Sequence, residues 1–196
     1  MGFSIYLASS SPRRSELLSQ IGVSFDLVKA DIEEKPEMGE SAQDYVLRLA
    51  LQKAQAGFKN SSKDRPVLGA DTIIVVDQRI LEKPRDKRHA QEMLQLLSGR
   101  VHQVFTAVAL VQGDDTKSTL VKTEVSFKTL SEQEISDYWR TGEPVDKAAG
   151  YAIQGGAGKF INNISGSYSG VVGLPLFETA ELIREFMEEM SEHSDR

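Results

Sequence analysis

The chain has 196 residues, 23 Lys plus Arg against 29 Asp plus Glu, a formal net charge of −6, 40% hydrophobic residues and no cysteine. The missing thiols exclude disulfide scaffolds, thiolate zinc sites, iron–sulfur clusters and cysteine nucleophiles, so any catalysis rests on oxygen, nitrogen or a metal ion. The acidic balance argues against a surface built to neutralise a nucleic-acid backbone, while leaving room for a local site that takes a small anion.

No repeat, Pro-rich stretch or Gly/Ser linker divides the chain, so one domain over residues 1–196 is expected. At this mass, surface scaling gives about 9,000 Å² folded against roughly 31,000 Å² unfolded, enough burial for a core without staples. Residues 3–8 are apolar and β-prone. Ser11 then supplies an N-cap and Pro12 the first helical position, and the helix buries Leu17, Leu18 and Ile21 before Gly22 ends it. A short strand follows at 25–28 and a polar loop at 31–40. Ser41, with Asp44 three residues on, starts a helix to about Gly57, in which Val46, Leu49, Ala50 and Ala54 recur at helical spacing.

Residues 67–77 are strongly β-forming and turn through Asp77-Gln78-Arg79 into a return strand at Ile80-Leu81. A helix over 86–98 presents Ala90, Met93, Leu94 and Leu97 on one face, with Gly99 after it. Residues 101–111 and 116–128 form a hairpin around Gly113-Asp114-Asp115. Ser131 and Glu134 make a capping box for a helix carrying Tyr138 and Trp139. Residues 147–173 are rich in Gly and Ser, with two short β-like pieces at Phe160-Ile161 and Ile164. Pro175 opens a last helix with Leu176, Ala180, Ile183, Phe186, Met187 and Met190 in a stripe, running into an acidic tail at about 188–196. Interleaved strands and helices predict an α/β fold, a mixed sheet flanked by helices. No apolar run reaches membrane-spanning length and the first residues lack a basic region before a long apolar stretch, so a cytoplasmic protein without membrane association is expected.

Three segments carry residue types suited to chemistry. Ser9-Ser10-Ser11-Pro12-Arg13-Arg14 joins a strand to a helix N-terminus, where free amides, the positive dipole end, hydroxyls and two guanidinium groups make a phosphate cradle. The same residues also read as an N-cap with solvated arginines. In Gly69-Ala70-Asp71-Thr72 a carboxylate interrupts an apolar strand, a placement that requires pairing, hydrogen bonding or a metal. It serves either function or a buried pairing. Glu82-Lys83-Pro84-Arg85-Asp86 sets a Lys just after the same hairpin, as part of a phosphoryl-transfer site or as a solvated turn. Lys53 and Glu34 are open in the same way between site and surface.

Residues 146–158 hold Gly150, Gly155, Gly156 and Gly158, which let backbone approach a ligand, and Gln154, whose amide can read a base or sugar edge. Other matches fail. Gly158-Lys159-Phe160 is not a P-loop, since Ile153 and Phe160 stand where Gly and Ser/Thr are required. Tyr168 occupies the nucleophile position of an apparent Gly-x-Ser-x-Gly elbow, and His89, His102 and His193 show no zinc spacing.

In this order, Leu7 to Arg14, Gly69 to Thr72, Glu82-Lys83-Pro84, Asp146 to Gly155 and Gly166 to Leu176 resemble the Maf family of nucleoside triphosphate pyrophosphatases over most of the chain. The resemblance implies a fold of the inosine triphosphate pyrophosphatase type: an elongated mixed sheet with flanking helices and a substrate cleft between two lobes. It also implies hydrolysis of a nucleoside triphosphate between its α and β phosphates with a divalent cation, Mg²⁺ or Mn²⁺, in nucleotide-pool sanitation. Asp71 would then be the general base. Arg13, Thr72 and Gln154 match positions tied to specificity, Ser9, Arg14, Lys53 and Lys83 would hold phosphates, and Glu34 with Asp71 would face the metal. The Ile-Gln-Gly form at 153–155 is similar to the dTTP and UTP branch. One departure is Ala149-Gly150 where the pattern has Gly-Ala. The competing reading is a non-catalytic, nucleotide-sensing regulator of cell division or septum formation. Stable nucleic-acid binding is not expected, and a homodimer is compatible with the sequence.

Overall fold

A computed structural model describes residues 4–194, with side chains to residue 192. Phe3 at the start of the first predicted strand, the end of the acidic tail and the His193 side chain lie outside those residues. The elements are β1 (Ser4–Ala8), α1 (Pro12–Gln20), β2 (Ser24–Leu27), α2 (Ala42–Asn60), β3 (Val67–Val76), β4 (Arg79–Leu81), α3 (Lys87–Leu97), β5 (Val101–Gln112), β6 (Asp115–Phe127), α4 (Glu132–Arg140), β7 (Ile161–Ser165), α5 (Tyr168–Val172) and α6 (Leu176–Ser194). The seven-stranded sheet runs β2-β1-β3-β5-β6-β7, with β4 paired to β3. It is mixed: β1 is parallel to β2 and β3, while β3–β4 and β6–β7 are antiparallel.

The described residues divide into two compact units, 4–71 with 106–121 and 173–194, and 72–105 with 122–172. In the first unit β1 lies between two parallel partners and is almost wholly buried, which accounts for its unbroken apolar run. Tyr6, Ala8 and Val67 pack there with Val28, Ala30 and Phe58. The sequence places the end of α2 at about Gly57, yet the helix continues to Asn60. The residue is glycine because a Cβ there would lie 2.8 Å from Ala8 Cβ and 2.9 Å from Val67 Cγ1. It permits close approach of helix and sheet.

The second unit holds a core that includes Ile74, Leu94, Leu97, Val125, Phe127, Ile135, Tyr138, Tyr151 and Phe160. Edge-to-face contacts link His102, Phe127 and Tyr151, and Tyr138 meets Phe160 at 5.3 Å. Burying each such side chain contributes roughly 1.5–3 kcal/mol. The two-residue turn Asp77-Gln78 has positive φ at both positions, and the predicted capping box of Ser131 and Glu134 is complete.

Four local expectations are corrected. Ser11 occupies the N-cap position of α1 but its side chain makes no cap hydrogen bond, and its own N–H donates to Ser9 Oγ at 3.2 Å. Ile21 is only partly buried. The Gly-rich segment forms one strand, β7, rather than two pieces, together with two short 3-10 turns and α5. On α6, Ala180 faces solvent while Thr179 and Leu182 are buried, so the apolar face is rotated by one residue at that level.

Candidate active site

Asp71 lies within β3 and is only 7% exposed. Gly69, two residues before it, shares its face of the strand. Helix α2 crosses that face so closely that a Cβ on Gly69 would stand 2.4 Å from the Ala50 carbonyl oxygen and 2.5 Å from the Ala54 nitrogen. The approach delivers Lys53, the residue before Ala54, onto the buried carboxylate. Lys53 Nζ donates to Asp71 Oδ1 at 2.5 Å and pairs with Glu34 Oε1 at 2.7 Å. Glu34 comes from the irregular segment between β2 and α2 and is half-exposed. One ammonium therefore ties together two carboxylates from distant parts of the sequence.

The strand-to-helix junction after β1 supplies the cationic side. Arg14 Nε donates to the Gly173 carbonyl oxygen at 2.8 Å, and Nη1 reaches Ser9 Oγ at 3.4 Å. With no side chain capping α1, its N-terminus carries the positive end of the dipole next to Arg13 and Arg14. Charges in this unit act on one another. Burial raises the Asp71 carboxyl above its ordinary range; Lys53 and Arg14 oppose that rise and Glu34 adds to it. Burial lowers the Arg14 guanidinium, Asp71 counters it, and the Arg13 charge lowers it further.

The first unit thus brings together Ser9, Arg13, Arg14, Glu34, Lys53 and Asp71. Thr72, Lys83 and Gln154 belong to the second unit. Thr72 follows Asp71 on the alternate face of β3 and is partly buried. Lys83 is exposed just beyond β4. Gln154 is exposed in a turn whose Gly155 N–H donates to the Ala152 carbonyl oxygen at 3.1 Å. At the departure from the expected motif, Ala149 has φ +54 and Gly150 φ +69. Ala149 thus adopts a left-handed backbone that glycine would take more easily, at a cost of about 1–2 kcal/mol. Its N–H donates to the Glu82 carbonyl oxygen at 3.0 Å, tying this turn to the segment that carries Lys83.

No group of three Asp, Glu or His side chains among the described residues is placed to hold a metal ion. Two carboxylates sharing one cation nevertheless suit Mg²⁺ or Mn²⁺, because such ions commonly take one or two protein carboxylates and complete their shell with water and substrate phosphate.

Two features escaped the sequence. Gly69 read as part of a motif and not as the contact point of α2. Tyr138 reads only as a helix aromatic and Glu143 carries no signal of its own, yet Tyr138 OH donates to Glu143 Oε1 at 2.6 Å, and Gly156 N–H donates to Glu143 Oε2 at 2.9 Å. The adjacent glycines at 155–156 were the available signal, since a Cβ on Gly155 would meet the Glu143 carboxylate at 2.4 Å.

A family model described as Maf-like protein matches residues 4–186. The dTTP/UTP pyrophosphatase of Salmonella typhimurium is 58% identical over 182 residues, 93% of this chain and 92% of its own. That of Vibrio parahaemolyticus is 55% identical over 184 residues, 94% of this chain and 97% of its own. Among solved structures, a nucleoside-triphosphatase/dITP/XTP pyrophosphatase from Mycobacterium abscessus is similar with a TM-score of 0.43 and 23% identity, over 64% of this chain and 74% of its own. The Ham1 protein of Staphylococcus aureus gives a TM-score of 0.46 at 16% identity, over 63% and 71%.

Proposed function

The chain belongs to the Maf family, and on that premise we infer that it is a nucleoside triphosphate pyrophosphatase that hydrolyses dTTP and UTP to the monophosphate and pyrophosphate, in nucleotide-pool sanitation. The observation that carries the reading is the buried Asp71 carboxylate held by Lys53 beside Arg14 and Glu34. A protein that only bound a triphosphate would gain nothing from a desolvated carboxylate among its cations. A base for water does gain, because desolvation raises its proton affinity.

In the proposed reaction Asp71 accepts a proton from the water that attacks the α-phosphorus. The bond between that phosphorus and the bridging oxygen breaks, and pyrophosphate leaves with the electron pair. Arg13, Arg14 and Lys53 hold the phosphates and spread the charge that develops on the leaving group, with the Ser9 hydroxyl and Lys83 adding contacts. Lys53 has two carboxylate partners and can exchange one for a phosphate oxygen while retaining the other. Glu34 and Asp71 would hold Mg²⁺ or Mn²⁺, which when bound supplies charge neutralisation and Lewis acidity at the phosphates. Thr72 and Gln154 contact the nucleoside, Gln154 through an amide able both to donate to and accept from a pyrimidine edge.

The test is pyrophosphate release from each natural triphosphate with and without Mg²⁺ or Mn²⁺. Release from dTTP and UTP that requires the cation and exceeds release from ATP and GTP supports the reading. Release from purine triphosphates alone overturns the pyrimidine preference, and tight binding without release favours the regulator.

A further inference from the structure

Gln154 reaches its place on a turn clamped at both feet by one hydrogen-bonded pair of side chains. On the near side, Ala152 N–H donates to the Tyr138 hydroxyl at 3.2 Å. On the far side, Gly156 N–H donates to Glu143, which also accepts from that same hydroxyl. The chain Ala152–Tyr138–Glu143–Gly156 thus brackets residues 153–155, and the turn closes through the bond from Gly155 N–H to the Ala152 carbonyl oxygen.

Both members of the pair are themselves fixed. The Tyr138 ring is 1% exposed and lies edge-on to Phe160. Glu143 follows Gly142, whose φ of +76 turns the chain back after α4, and Glu143 N–H donates to Thr141 Oγ1 at 3.2 Å. Burial and the bond to Glu143 push the phenol well above its ordinary value, so it stays a neutral donor at working pH. Ala152, Ile153 and Ala157 are buried, whereas Gln154, Gly155 and Gly156 are exposed. The apolar residues anchor the ends of the loop, and the clamp sets the course of the backbone that presents the amide.

We propose that Glu143 and Tyr138 are positioning residues for nucleoside selection: they hold the 152–156 turn so that Gln154 meets the pyrimidine at a fixed distance and angle. The proposal rests on the reading that Gln154 contacts the base. An amide forming two hydrogen bonds with a planar edge tolerates little displacement, and misplacement by about 1 Å can cost up to 10²-fold. The hydrogen bonds of the clamp run to Ala152 and Gly156, the two feet of the turn that carries Gln154, so its loss acts on binding of the nucleoside ahead of the chemical step.

The experiment is a double-mutant cycle on the full chain, reading KM and kcat for dTTP with Glu143→Ala, Gln154→Ala and the pair, alongside Glu143→Gln and Tyr138→Phe. Glu143→Ala is expected to raise KM about tenfold with kcat within about threefold, and the double variant to be no worse than the more damaging single variant. Glu143→Gln, which keeps an acceptor for one donor, should recover part of the loss. Tyr138→Phe keeps the buried ring and should shift KM in the same direction, covering the case in which Glu143→Ala fails to fold. If Gln154→Ala raises KM while Glu143→Ala and Tyr138→Phe do not, or if the effects of Glu143→Ala and Gln154→Ala are fully additive, the clamp is refuted and the base-reading role of Gln154 stands. If Gln154→Ala leaves KM unchanged, the base-reading role fails and the proposal falls with it.

Discussion

At position 71 a carboxylate sits where the strand around it is apolar, and that local conflict was visible in the sequence because burial of an unpaired charge is so costly. Its partners were harder to see. Lys53 and Glu34 look like ordinary surface residues until the fold brings them onto one another, and no spacing rule links positions 34, 53 and 71. His102 was equally opaque: the sequence excluded zinc spacing, but not that the ring would be 1% exposed with Nε2 2.7 Å from the Tyr151 hydroxyl and Nδ1 unpartnered. Burial pushes this imidazole down to about 4. The unfolded chain takes up the proton near 6.5 and the folded one only near 4, so acidification across that window favours unfolding. Stability should fall by about 3 kcal/mol between pH 7 and 4 on this account. The raised Asp71 acts in the opposite sense, and comparison with His102→Phe isolates the histidine. Urea unfolding at pH 7 and 4.5 should show a smaller loss on acidification in the variant; an equal loss in both proteins would remove His102 as the cause.

Elements were legible where a repeating pattern coincided with a local stop signal. Helix α3 lies where its apolar periodicity and the following Gly99 put it, and α4 where its capping box does. The errors came where a residue serves a contact with another element. Gly57 and Gly69 exist for packing of α2 on the sheet, which sequence periodicity cannot distinguish from a helix stop or a motif glycine. Strand β7 pairs with β6, 34 to 41 residues earlier, and α5 is too short for a periodic signal. Since Gly69 sets the distance between α2 and β3, Gly69→Ala should destabilise the fold by about 1–3 kcal/mol through overpacking. It should also lower kcat/KM at temperatures where the variant remains folded, because Lys53 moves with the helix. Denaturant unfolding and steady-state kinetics on one preparation check both parts. Destabilisation with unchanged kcat/KM would show that Lys53 retains its reach by another route.

For the whole molecule, the charge of −6 is unevenly placed. Residues 177–196 carry seven acids and two bases, a sum of −5, leaving residues 1–176 with 22 acids against 21 bases. On α6, Glu185 and Glu189 meet Lys117, while Glu181 and Glu188 meet Arg184. That acidity is largely engaged along one helix, so it does not argue against an anionic substrate held by Arg13, Arg14 and Lys53. Substitution of Glu178 and Glu192 by Gln should change stability by less than about 0.5 kcal/mol and leave kcat/KM for dTTP unchanged. A rise in kcat/KM at low ionic strength would instead show that the acidic helix repels substrate. No helix of the described residues is long and apolar enough to cross a membrane.

The central claim is that Asp71 activates the water, and the measurement that tests it most directly is pyrophosphate release from dTTP by Asp71→Asn, with circular dichroism and thermal unfolding on the same sample. The amide keeps the size of the carboxylate and a hydrogen-bonding oxygen but accepts no proton at neutral pH. The variant should fold and lose at least about 10²–10⁴-fold in kcat. A folded Asp71→Asn protein that keeps most of its activity would contradict the assignment and move the base elsewhere in the site.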